Sequence, residues 1–305
     1  MKHIFIINPN AGKGSAATEL ENKLKDSGFD WQVYRTTAPN DGFRFAKEYC
    51  ENNTHPVRFY ACGGDGTIHE IANAIYGFPH ASMSCYPIGS GNDYVKYYGG
   101  RERFLDPIAL CKAPEVPVDL IRVNDEYAIN ACHFGLDSCV AEIMNKVRHH
   151  KILGGKRAYP TGVIYAFVKG MRHYATLSAD GETLIDGAFL LCTAANGICV
   201  GGSYYCAPRS SNDDGLLEVC LVRPISRLRF LRVINKYKAG KHLDDPSMQD
   251  MIIYRRAKTM EVKAEKEFTV SLDGELRKMK EATVEIVPSA LRFGVPEVAA
   301  NATNT

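Results

Sequence analysis

VRFYACGGDGTIHEIANAIYG (57 to 77) opens as a short run rich in β-branched and aromatic residues and turns through paired glycines into a different pattern. Beyond the glycines, Ile68, Ile71, Ala72 and Ile75 recur at helical spacing. A buried strand that passes through glycines directly into a helix is the building unit of a parallel sheet covered by helices. Gly63 and Gly64 would let the backbone approach a ligand, Thr67 is placed to cap the helix, and Asp65 stands at the mouth of the sheet with Gly66 beside it. A carboxylate next to a phosphate cradle repels its ligand unless a divalent cation lies between, so Asp65 points to magnesium. The competing reading is a D-G hairpin turn. Glu70 would orient a neighbour or face solvent, and His69 is expected on the helix surface.

The same unit repeats on both sides. HIFIIN (3 to 8) reads as a buried strand and 16 to 27 as a helix closed by Gly28; WQVYRTT (31 to 37) and 43 to 52 form the next pair. Between the first strand and helix, NPNAGKGSA (8 to 16) lacks the P-loop spacing but offers backbone N–H groups as a phosphate cradle, with Lys13 as a positive charge. Plain strand-to-helix punctuation and a solvated lysine are the alternatives. SMSCYPIGSGN (82 to 92) repeats strand and glycine loop and leads into Asp93 after Gly89, Ser90, Gly91 and Asn92. In a doubly wound sheet such loops gather at the carboxyl ends of the strands, so three loops should converge on one crevice. Asp119, in VPVDLIRVN, either joins this carboxylate group or is a strand-end turn residue.

After Asp119 the texture changes to closely spaced strands with turn signals, among them EYAINACHFG, LLEVCLVRP, TMEVKA and EFTVSLDGE, as in a β-sandwich. Helical insertions are expected around 137 to 174 and 225 to 241, and ALRFGVP is expected to return as a strand to the first domain. The division is therefore 1–122, with 289–305 returning to it, and 123–288.

Two domains also suit a length of 305 residues. Hydrophobic residues at 45% and charged residues at 24% exclude a disordered chain. With 37 basic against 35 acidic side chains, no global field attracts nucleic acid, and basic surface must be local. The ten cysteines form no C-x-x-C pair and several lie in apolar runs, as thiols of a reducing compartment do. The apolar run of MKHIFIINPN ends far short of a signal peptide or membrane span, so a cytoplasmic location is expected.

Taken in order, NPNAGKG, GGDGTIHEIANAI, PIGSGNDYVK, NACHFGLD, AYPTGVIYAFVK, NGICVGGSYYCAPRSSNDDGLLEV, AGKH and SLDGE resemble the diacylglycerol kinase catalytic-domain family, particularly its compact bacterial members and the related sphingosine kinases. The resemblance spans nearly the whole chain. It implies an NAD-kinase-like α/β nucleotide domain, a following β-sandwich, an active site in the cleft between them, and phosphoryl transfer from ATP to a lipid hydroxyl, diacylglycerol first. Another acceptor, such as a sphingoid base, a monoacylglycerol or a soluble metabolite, or a silent nucleotide- or lipid-binding regulator, are the rivals. By the same resemblance Asp273 of SLDGE is the base, with Glu275 beside it. Asp65, Asp93 and Asp119 organise catalytic magnesium, and Asn8, Thr37, Gly64, Thr67 and Glu70 line the nucleotide site, where Gly12, Gly63, Gly66, Gly89, Gly91 and Asn92 form the loops. Ser211, Asp214 and Leu216 match the ligands of a second, structural magnesium, weakened here by serine at the first position. Asp273→Asn is expected to leave folding nearly intact.

PISRLRFLRVINKYKAGKH (224 to 242) places Phe230, Leu231, Ile234 and Tyr237 on one helical face and Arg227, Arg229, Arg232, Lys236 and Lys238 largely elsewhere. Such a helix either rests on an anionic bilayer at the inner face of the membrane or covers the sandwich with a solvated basic face. Self-association as a homodimer stays open.

Overall fold

The computed structural model describes residues 1–12, 15–147, 150 and 158–297, which form two compact units: Met1–Val118 with the segment from Ser289, and Asp119–Pro288. In the first unit β1 (Lys2–Ile7), β2 (Trp31–Arg35), β3 (Val57–Gly63) and β4 (Ala81–Pro87) run parallel in the order β4-β3-β1-β2. They are joined by α1 (Ser15–Leu24), α2 (Asp41–Asn52) and α3 (Asp65–Ile75), and α4 (Pro107–Lys112) follows β4. Every residue of β3 and β4 is buried, which is why their sequences are mostly apolar, with Arg58, Ser82 and Ser84 the buried polar exceptions. Phe293 pairs in parallel with Met83, and the Ser84 hydroxyl donates to the Gly294 carbonyl at 2.7 Å. The first helix stops at Leu24, earlier than its spacing predicts, and the chain leaves through a turn with Gly28 at φ 76°.

β5 (Glu115–Val123) carries the chain into the second unit and pairs there with β6 (Glu126–Ala128). The remaining elements are β7 (Ala131–Gly135), α5 (Leu136–Val147), α6 (Ala158–Lys169), β8 (His173–Ala179), β9 (Glu182–Phe189), β10 (Leu191–Ala195), β11 (Leu217–Val222), α7 (Arg227–Lys238), β12 (Ile252–Ala257), β13 (Thr259–Leu272) and β14 (Glu275–Gly294). Strands β12-β11-β10-β7-β13-β14 are neighbours in that antiparallel order, and β8 pairs with both β13 and β9. TMEVKA and EFTVSLDGE, which read as separate strands, are one strand whose register shifts between Lys263 and Phe268. Alternate residues of the central strands serve two cores. Phe134, Cys192, Val219 and Val270 pack among strands, while Ala131, Leu191, Ala195 and Val222 pack with Ala166 of α6 and Val233 and Tyr237 of α7.

Two buried histidines should make this fold acid-sensitive. His3 contacts the Tyr60 hydroxyl at 2.7 Å, and burial, then the nearby Arg58 charge, push its pKa down to about 4. His242, fully buried 4.5 Å from the Tyr237 ring, is likewise held at about 4 by burial. Both titrate near 6.5 once unfolded, so the unfolded chain binds more protons between the two values. Stability is therefore complete above pH 6.5 and falls as pH drops toward 4, by roughly 3 kcal/mol per histidine. Thermal melts across that window should show the decline, and His3→Asn with His242→Asn should flatten it. An unchanged slope would remove these residues as its cause.

Candidate active site

The carboxyl ends of β1, β3 and β4 lie side by side, and the loops that leave them are tied together by backbone. The Asn8 N–H donates to the Cys62 carbonyl at 3.0 Å, and the N–H groups of Ile88 and Gly89 both donate to the Gly63 carbonyl, at 3.0 and 2.9 Å. Gly12 abuts Ile88, so the first loop reaches the third. At Gly89 a Cβ would stand 2.4 Å from the Gly64 Cα, so two backbones cross where no side chain fits. Asp65 opens α3, and its Oδ1 accepts from the N–H groups of Asp93 and Tyr94 at 2.7 and 3.2 Å. Lys96 Nζ lies 2.6 Å from Asp93 Oδ1. The structure thus brings Asn8, Gly12, Gly63, Gly64, Asp65, Gly89, Gly91, Asn92 and Asp93 together, with Gly66 on the exposed first turn of α3. Asn92 Nδ2 donates to the Gly89 carbonyl at 2.7 Å, and its buried Oδ1 has no hydrogen-bond partner.

Two readings of this region are corrected, and for Glu70 one of two alternatives is selected. Gly64, without a side-chain cap, precedes α3, and Thr67 lies inside the first turn with its N–H on the Gly64 carbonyl at 3.0 Å. His69 is buried, because α3 packs on α2 as well as on β3 and β4. Glu70 is not merely solvated: its Oε1 accepts the Asn40 N–H at 3.1 Å and fixes the entry to α2. Thr37 donates its N–H and hydroxyl to Asp41 Oδ2 at 2.8 and 3.0 Å, and these bonds hold the Asp41 carboxyl below its usual range. Lys13 lies outside the described residues.

In the second unit Asp273 and Gly274 make the two-residue turn between β13 and β14, with φ 51° and 100°, and Glu275 begins β14 on the surface. The Asp273 carboxylate accepts three backbone N–H groups, from Ile129, Asn130 and Ala131, at 2.8, 2.9 and 3.0 Å. It is therefore both the hairpin turn that its D-G dipeptide spells and an aimed carboxylate. Asp119 is fully buried; its Oδ2 accepts the Gly215 N–H and its own N–H donates to the Asn212 carbonyl, each at 2.7 Å. Asn196 links the two anchors by donating to the carbonyls of Asp119 and Ile129 at 2.8 and 3.0 Å. Lys96, Asn196 and Arg256, described below, escaped sequence reading. The only available sign was the i,i+3 spacing of Lys96 from Asp93.

Asp65 and Asp93 pass a simple test for magnesium. A Cβ on Gly91 would stand 2.8 Å from Asp65 Oδ2 and 3.7 Å from Asp93 Oδ2, so both oxygens face the same glycine, the nearer at a distance that leaves no room for a side chain. Magnesium takes one or two carboxylates plus waters and substrate phosphates. The Ser211, Asp214 and Leu216 set fails the same test. Asp214 Oδ1 accepts the Leu216 N–H at 3.0 Å, its Oδ2 is paired with Arg256, and the Ser211 hydroxyl donates to Asp213 at 2.6 Å.

α7 covers the sandwich core with Phe230, Val233 and Tyr237, while Leu231, expected on that face, points out with Leu228. Its basic residues are mostly committed. Arg227 donates to the carbonyls of Phe167 and Val168 at 2.9 and 2.6 Å, Arg229 pairs with Asp250, Lys236 with Asp245, and Lys238 lies over the Tyr204 ring. On α6, whose Phe167 ring lies 5.8 Å from Phe230 of α7, Ile164, Tyr165 and Val168 are also exposed. No helix among the described residues is long and apolar enough to cross a membrane.

Residues 2–123 match the diacylglycerol kinase catalytic domain, and residues 130–295 match the YegS C-terminal NAD kinase beta sandwich-like domain. A diacylglycerol kinase of Bacillus subtilis is 27% identical over 89% of this chain and 88% of its own. A protein of Chromohalobacter salexigens named "Probable lipid kinase YegS-like" is 27% identical over 96% of this chain and 93% of its own. The crystal structure of a diacylglycerol kinase from Bacillus anthracis strain Sterne superposes with a TM-score of 0.71 at 21% identity, covering 96% of each chain, which shows the shared fold. Two matched domains in this order, over units that fold as an α/β sheet and a β-sandwich, place the chain in the diacylglycerol kinase and YegS family of lipid kinases.

Proposed function

We propose that this lipid kinase transfers the γ-phosphoryl group of magnesium-bound ATP to the hydroxyl of diacylglycerol, yielding phosphatidic acid. The observation that carries the reading is the convergence at Gly91, where the Oδ2 atoms of Asp65 and Asp93 both face the glycine beside crossing glycine backbones. Loop amides and the amino terminus of α3 suit the phosphates of a nucleotide. Asp65 and Asp93 would hold magnesium, which supplies charge neutralisation to the phosphates when bound. The N–H groups of Asp93 and Tyr94 keep the Asp65 carboxylate aimed, and Lys96 steadies Asp93. Asn8, Thr37 and Glu70 shape the nucleotide side. Asp273, oriented by its three amide bonds, receives the proton of the attacking hydroxyl, with Glu275 adjacent. Diacylglycerol is favoured as acceptor by the names of the Bacillus relatives. Transient contact with the inner face of the cytoplasmic membrane is supported by the exposed apolar residues Ile164, Tyr165 and Val168 of α6 and Leu228 and Leu231 of α7, two helices bridged by Arg227.

The test is transfer of labelled γ-phosphate on vesicles carrying diacylglycerol, monoacylglycerol or a sphingoid base, with a soluble alcohol alongside. Diacylglycerol should be phosphorylated fastest, and Leu228→Gln with Leu231→Gln should weaken vesicle binding while sparing ATP binding. Gly91→Ala sets a Cβ against Asp65 Oδ2 and should cost at least ~10-fold in magnesium-dependent ATP affinity, about 1.4 kcal/mol. Transfer to a different acceptor alone would reassign the substrate. Unaltered ATP affinity in Gly91→Ala would reject the magnesium site.

A further inference from the structure

The failed metal test at 211–218 has a specific cause. Arg256 of β12 lies directly across from Glu218 of β11 in the antiparallel register. Its Nε is 2.9 Å from Glu218 Oε1, and its Nη2 pairs with Asp214 Oδ2, so one guanidinium bridges two carboxylates. Glu218 is almost fully buried, its Oε2 has no hydrogen-bond partner, and burial raises its pKa while Arg256 opposes that shift. A buried carboxylate needs a compensating cation nearby. The planar fork of arginine can serve two carboxylates at once, as a bound metal ion would. The other basic side chain acting on Glu218, Arg209, is paired with Asp244 at 2.5 Å.

We infer that Arg256 is the built-in cation of the 211–218 turn, so that this chain holds the turn without the structural magnesium its relatives' pattern implies. The consequence reaches Asp119, because the same turn supplies the Gly215 N–H to its carboxylate and the Asn212 carbonyl to its N–H.

Melting of the full chain without nucleotide tests this, in chelator and with magnesium chloride, for wild type, Arg256→Met and Asp214→Asn. Wild type should melt at the same temperature in both conditions, and calorimetric titration with magnesium chloride should show no binding that Asp214→Asn abolishes. Arg256→Met should melt several degrees lower in chelator, and that loss supports the inference whether or not magnesium restores it. Should Arg256→Met fail to fold, the wild-type comparison still decides. The inference is overturned by wild-type melting that drops in chelator, by magnesium binding that Asp214→Asn removes, or by an Arg256→Met variant as stable as wild type.

Discussion

Asp273→Asn is expected to reduce phosphoryl transfer by ~100- to 10,000-fold, the usual contribution of a general base. An amide cannot take the hydroxyl proton, while asparagine tolerates the left-handed backbone, φ 51°, that this position requires. Folding will not be wholly spared, contrary to the expectation from sequence. Both carboxylate oxygens accept backbone N–H groups from 129–131, and an amide NH₂ must replace one of them. A stranded N–H costs about 1–3 kcal/mol, which should appear as a melting temperature lowered by several degrees. Turnover and calorimetry on the same preparation separate the effects. Retention of more than about a third of wild-type turnover is outside what loss of a base allows, and would return Asp273 to a purely structural turn.

Arg58→Met should be the most damaging substitution in the first unit. Arg58 is buried on β3, and its guanidinium donates to the carbonyls of Leu110 and Ala113 at 3.0 and 2.9 Å and to Glu115 at 3.0 Å. Burial pushes the Glu115 carboxyl up, but Ser82, Arg58 and Arg292 together hold it below its usual range. Removing one member of a buried, hydrogen-bonded ion pair typically costs 3–5 kcal/mol. Arg292, 3.1 Å from Glu115, would shelter part of the remaining charge, so the lower end, about 3 kcal/mol, is expected. The loss of two carbonyl partners cannot be recovered that way. Urea denaturation should show it, and a change below ~1 kcal/mol would mean that the cluster relaxes around the missing charge.

The alternation of strand, glycine loop and helix in the first unit was legible because each signal is local. A strand covered on both faces carries few polar residues, as at 57–63 and 81–87, where only Arg58, Ser82 and Ser84 interrupt the run and each is hydrogen-bonded, and the α3 stripe repeats within a few residues. The glycines were legible for a related reason, since backbones that nearly touch leave no room for a side chain. Asp273 was not separable from an ordinary D-G turn by its own residues; the family resemblance singled it out. Asn196 and Arg256 gave no signal, because an asparagine before glycine and an arginine in a strand are unremarkable until their partners are known.

By itself the sequence determined that this chain alternates buried strands with helices, changes to sandwich-like strands after Asp119, and gathers glycines and carboxylates in its loops. Only the tertiary structure decided what those carboxylates touch. Asp65 turns to amides at 93 and 94, Asp119 to the turn at 215, Asp273 to amides at 129–131, and Asp214 to Arg256. The physical reason is range: periodicity and turn chemistry act over a few neighbouring residues, whereas a buried charge is satisfied by whichever donor the packed fold delivers, here from 28 to 144 positions away in the chain.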